Sequence, residues 1–152
     1  MSFTNEEGRR QLLDEVNGAV DELAVAIACL SEAYEALDED TADRLEAEMF
    51  RPVQAAYGRV RRARSEFAER YRVADGDLDG APGAIGVEEP RRYIERAIEA
   101  AEAADQRIAE LQDSMLPIDV GDSEIRAGLT ETRTLIADVP TQGRRLLRTL
   151  GR

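Results

Sequence analysis

The chain has 152 residues, 43% hydrophobic and 34% charged, with a formal net charge of −12. That length fits one domain better than two independent cores, and the apolar content is too high for a disordered chain. His and Lys are both absent and all 20 basic residues are Arg, which excludes Ser-His and Cys-His nucleophiles, His-ligated metals and the Glu-x-x-His di-metal carboxylate site.

Cys29 is the sole cysteine, so no intrachain disulfide can form and a reducing, cytoplasmic setting is expected. MSFTNEEGRR carries neither the basic start nor the apolar stretch of a secretion signal. No run approaches the roughly 18 apolar residues of a membrane span. The acidic balance opposes binding to nucleic acid and to anionic membranes.

The first helix is expected over about 5–38. Its apolar residues Leu13, Val16, Val20, Leu23, Ile27, Leu30, Tyr34 and Leu37 fall at alternating three- and four-residue steps, a heptad seam. Asn5 is its candidate N-cap, and Asp38, Glu39 and Asp40 form a tight turn after which Thr41 caps the next helix.

The second helix, about 42–73, carries Leu45, Met49, Val53, Ala56, Val60, Ala63, Phe67 and Tyr71 on one stripe, widened by Phe50 and Tyr57. Pro52 removes a backbone donor inside it, so a kink over 48–52 is expected, or a restart with Pro52 in the first turn. The third helix, about 89–116, opens with Pro90 in its first turn and uses Ile94, Ile98, Ala101, Ala104, Ile108, Leu111 and Met115, with Pro117 ending it. The fourth, about 123–150, is capped by Asp122 or Ser123. Its seam is Ile125, Leu129, Thr132, Ile136, Val139, Gly143, Leu146 and Leu150, with a bend at Pro140 and room for close helix approach at Gly143.

Four helices of similar length with short links in each half predict an all-α chain: one antiparallel four-helix bundle domain of two long hairpins, running up-down-up-down. Charge supports the first hairpin, since residues 1–50 hold 14 acids against 3 Arg and residues 51–72 hold 7 Arg against 2 acids. Folding at the turn sets Arg59, Arg61, Arg62 and Arg64 opposite Asp14, Glu15, Asp21 and Glu22. The same topology brings Arg144, Arg145 and Arg148 towards Arg70 and Arg72, where an anionic ligand would find bidentate donors.

The loop 74–88, ADGDLDGAPGAIGVE, alternates Asp75, Asp77 and Asp79 before Gly80. Alternating carboxylates around a tight Gly turn suit calcium, which takes six to eight oxygens, and the spacing resembles the opening of an EF-hand loop. It departs from that pattern at the eighth position, Pro82, and the twelfth, Gly86, where a bidentate Glu belongs; Glu88 or Glu89 would have to stand in. The competing reading is a solvated acidic turn. Cys29, between Ile27 and Leu30, is expected to be a small core residue.

The functional expectation is a non-enzymatic helical scaffold that binds another protein or itself. The alternatives are calcium binding at Asp75, Asp77 and Asp79, and a small apolar or anionic ligand held in the core near Ala101, Ala104 and Gly143.

Overall fold

The computed structural model describes residues 5–74 and 85–150. Among these the chain is all-helical and contains no strand, and no helix is long and apolar enough to cross a membrane. The first helix, α1, covers Asn5–Ala36 and buries Leu13, Val16, Val20, Leu23 and Leu30 of the seam read from the sequence, together with Leu12, Ala19, Ala26, Cys29 and Ala33, while Ile27, Tyr34 and Leu37 are half-buried. Asn5 is its first helical residue, so the cap position itself falls outside the described residues.

Helix α2 covers Glu39–Leu45 and starts earlier than the sequence suggested. The cap is Asp38, whose carboxylate accepts the Thr41 N–H at 3.2 Å, so Thr41 is inside the helix. A π-helical turn, Glu46–Phe50, leads into α3, Arg51–Tyr71. Pro52 explains it: with no N–H to offer at that position, the preceding turn widens and the Arg51 N–H reaches back to the Glu46 carbonyl. The expected kink is thus a widened turn in a continuous rod. Helix α3 ends at Arg72, which takes the left-handed conformation (φ 53°) and lets the Val73 N–H reach the Ala68 carbonyl.

Helix α4, Pro90–Asp113, has Pro90 in its first turn as expected. It stops before Pro117. Met115 turns left-handed (φ 68°), and Pro117 sits inside a short helix α5, Leu116–Asp119. Helices α6, Ser123–Ile136, and α7, Val139–Leu150, form one rod broken over residues 137–138. Pro140 cannot donate to the Ile136 carbonyl, so the helix restarts with Pro140 near its beginning. Asp122 is the cap of α6, accepting the Ile125 N–H at 2.8 Å.

Most seam residues are buried in a shared apolar core that includes Leu12, Leu23, Phe67, Ile94, Ile108 and Leu146; Met115, expected on the third stripe, lies past the end of α4 and is exposed. Both expected hairpin pairs are in contact, but the way the two hairpins meet is not the expected one. The most extensive packing joins α1 to α4, followed by α3 to α6; α1 also packs on α3, and α4 on α7.

Specific contacts fix the directions. Arg9 lies against Tyr71 and Asn17 meets Arg64, so α1 and α3 are antiparallel. Glu22 pairs with Arg107 while Gly8 faces Val120, so α1 and α4 are antiparallel too. Arg70 meets Asp122 and Arg59 meets Glu131, and Asp105 meets Arg133 while Arg91 meets Leu147.

The run of directions is therefore up-down-down-up, which corrects the alternating order expected from the sequence. Helix α3 ends beside the start of α1, whereas α4 starts beside the end of α1, so their connection joins opposite ends of the molecule. Those ends are separated by roughly 40 Å of helical rise. Bundles with such crossover connections are a recognised variant of the simple hairpin order.

Two glycines sit where helices approach closely. A Cβ on Gly128 of α6 would lie 2.6 Å from the Ala63 Cβ of α3, and one on Gly143 of α7 would lie 2.7 Å from Ile98 of α4 and 2.8 Å from Met49. Gly143 therefore permits the close approach read from the sequence, and the space beside it is filled by side chains. Thr132, the one hydroxyl on the α6 seam, is buried and donates to the Gly128 carbonyl at 2.7 Å.

Candidate functional site

Helix α6 packs far more on α3 than on α4, which leaves a gap on its α4 side. The gap is a groove of about 770 Å³ between α4 and the α6–α7 rod, floored by Ala101, Ile136 and Pro140, with Ala137 exposed at its edge. Polar side chains bridge it where apolar contact is missing. Arg133 donates to Asp105 at 2.8 and 3.4 Å and to the Gln112 Oε1 at 2.9 Å; Gln112 in turn donates to the Thr130 hydroxyl at 3.3 Å. The Asp105 hydrogen bond raises the Arg133 guanidinium above its ordinary pKa. One turn into α7, Arg144 reaches Glu102 at 2.8 Å. Thr134 and Thr141 complete the rim.

The groove continues past Gln112 and Thr130 into a smaller apolar hollow of about 210 Å³ at Pro117, Ile118 and Leu129. Beyond it, Met115 and Ile118 are 49% and 55% exposed, large apolar side chains on the turn that joins α4 to α6. A volume of several hundred Å³ over a mixed apolar and polar lining is the scale of a ligand cleft or of a seat for a few side chains of another protein.

The residues singled out by sequence are distributed otherwise. Asp75, Asp77 and Asp79 lie outside the described residues. Glu88 and Glu89, offered as the missing calcium ligand, stand at the start of α4, the opposite end of the molecule from Ala74. The Glu88 N–H donates to the Tyr93 hydroxyl at 3.0 Å, and that hydroxyl donates to the Gly86 carbonyl at 2.8 Å. Among the described residues no group of three or more acids or cysteines is placed to hold a metal ion.

The Arg run of α3 faces α6 more than α1. Arg59 pairs with Glu131 at 2.6 Å and Arg70 with Asp122 and Glu124, both at 2.8 Å. Arg61 lies over the Tyr57 ring. Buried Arg64 keeps an α1 partner, donating to Asn17, while Glu22 is taken by Arg107 of α4. The expected pairing of the Arg run with Asp14, Glu15, Asp21 and Glu22 is thus replaced, for the reason that α4 and not α6 flanks α1.

The same change moves Arg144, Arg145 and Arg148 away from Arg70 and Arg72. They stand at the other end of the molecule, near Arg91, whose guanidinium donates to the Leu147 carbonyl at 3.0 Å.

Cys29 is fully buried, and burial pushes its thiol above the ordinary value despite nearby Arg96. It is a core residue. Ala101 and Ala104 are buried on α4, with Ala101 also forming part of the groove floor. Sequence reasoning missed Arg133, Asp105 and Gln112. All three flank the apolar stripe of their helices, and one helix's polar flank carries no sign of which neighbour it will meet. Comparison with protein-family models, curated proteins and solved structures finds no match to this chain.

Proposed function

We propose that the chain is a cytoplasmic four-helix bundle that serves as a non-enzymatic scaffold, seating a segment of another protein in the groove between α4 and the α6–α7 rod. The observation that carries this reading is the sparsely packed α4–α6 side, a groove of about 770 Å³ bridged by Arg133, Asp105 and Gln112 and continuous with an apolar hollow at Ile118. Heptad seams on every long helix supply a rigid frame for it. A single buried cysteine with no disulfide partner supports the cytoplasmic setting.

The test fills the groove from its exposed rim. Thr134 and Ala137 both line it and face solvent, so Thr134→Trp with Ala137→Trp blocks the seat without entering the core. Wild type and the blocked variant, matched by thermal melt, are used as bait in lysate of the source cell. The expected result is a specific protein retained by wild type and lost by the variant. Identical captures by the two baits would overturn the groove as the binding surface.

A further inference from the structure

We infer that the segment seated in the groove is acidic and is read by the outer face of α7; this rests on the groove reading above. Of the α-helices described, α7 is the one with no Asp or Glu, and it carries Arg144, Arg145 and Arg148 in a chain of net charge −12. Thr141, Arg144, Arg145 and Arg148 are spaced by three and four residues, so they share one exposed face. Two of the four, Thr141 and Arg144, are groove residues, and Arg148 continues the strip one turn beyond them.

Two of these three cations, Arg145 and Arg148, have no carboxylate partner among the described residues. On the other helices Arg59, Arg70, Arg107 and Arg133 each meet a carboxylate from elsewhere in the fold, while Arg62, Arg72 and Arg96 make no ion pair among the described residues. Arg144 spends one nitrogen on Glu102. Among the described residues Arg145 hydrogen-bonds the neutral Gln142, at 3.3 Å, and no carboxylate. Arg148 makes no ion pair or side-chain hydrogen bond within the described residues. Cations at a helix C-terminus suit the macrodipole without needing a partner, but that accounts for their location and not for the acid-free strip beside an open groove. Carboxylates spaced along a peptide match this row of planar donors. A long polyanion is disfavoured by the acidic remainder of the molecule.

The experiment is a fluorescence-anisotropy titration of a labelled peptide of alternating Glu and Ala. It compares wild type with R145E/R148E, the milder R145Q/R148Q, and a control, R61E/R62E, that makes the same charge change on the exposed face of α3. The inference expects binding to wild type that weakens as salt rises from about 20 to about 200 mM. It expects roughly tenfold loss in R145E/R148E, a smaller loss in R145Q/R148Q, and less than about twofold change in the control.

Equal losses in the α3 and α7 variants would reduce the effect to net charge and overturn the inference. So would tighter binding of a single-stranded oligonucleotide than of the peptide. A salt-sensitive dimer in sedimentation velocity would make the occupant a second copy, and would overturn it as well. If no peptide binds while the Trp-filled variant still loses its captured protein, the acidic partner is refuted and the groove reading survives. If peptide binds α7 equally well when the groove is filled, the groove reading fails instead.

Discussion

Asp122 joins three elements, and its removal gives the sharpest test of how the closed end of this molecule is held. Its carboxylate caps α6 through the Ile125 N–H at 2.8 Å, accepts Arg70 at 2.8 and 2.9 Å, and accepts the Tyr71 hydroxyl at 3.1 Å. Arg9 lies over the same Tyr71 ring at 4.0 Å and donates to the Val120 carbonyl, so the start of α1 is tied in as well. Loss of an N-cap costs about 1 kcal/mol. The Tyr71 bond adds about 0.5–1 kcal/mol, and the Arg70 pair, one-third exposed, adds no more than about 1 kcal/mol after screening.

Asp122→Ala is therefore expected to cost about 2–3 kcal/mol, a fall in Tm of about 5–10 °C for a chain of this size. Asp122→Asn keeps a competent cap and should lose less than half of that.

The pH dependence follows from the sign of the shift. Burial raises the Asp122 pKa, but the Ile125 amide, Arg70 and Tyr71 outweigh it and hold the carboxyl below its ordinary value. A depressed carboxyl stabilises the fold above its unfolded pKa, about 3.9, and that contribution is lost as pH falls through the lower folded value. The gap between wild type and Asp122→Asn should stay constant from pH 7 to pH 5 and close below about pH 4. Thermal melts by circular dichroism across that range measure it. A Tm for Asp122→Ala within about 2 °C of wild type at pH 7 would refute the reasoning.

Helix approach gives a paired test by urea denaturation. Gly128→Val, forced against Ala63, should destabilise by about 2–4 kcal/mol through overpacking, whereas Gly58→Ala, on an exposed part of α3 with no atom near the added Cβ, should stabilise by about 0.5–1 kcal/mol. Cys29 should react with a thiol reagent at least about a hundredfold slower in the native protein than in urea; comparable rates would contradict its burial. Thermal melts in chelator and in millimolar calcium, with magnesium as control, should coincide. A calcium-selective rise in Tm, abolished by Asp75→Asn with Asp77→Asn and Asp79→Asn, would place an ion on that acidic triplet.

The elements of this protein were legible residue by residue. The three-four spacing from Leu13 to Leu37 defines α1 and its buried face, Asp122 and Pro90 mark helix starts, and Pro52 and Pro140 mark the two interrupted rods, because hydrogen-bonding capacity and helical periodicity are local properties of the chain. Partner choice is not local. A heptad seam states which face seeks burial without naming the face that covers it, and a connection from Ala74 to Glu89 is long enough either to turn back or to cross the molecule. Only packing resolved that choice, setting α4 beside α1 and α6 beside α3, with Gly128 and Gly143 admitting close approaches. Once the neighbours changed, the electrostatics changed with them: Glu22 met Arg107, the α3 Arg run turned to α6, and Arg144, Arg145 and Arg148 moved to the end opposite Arg70. The groove arose from the same step, since a gap between two helices belongs to neither sequence segment alone.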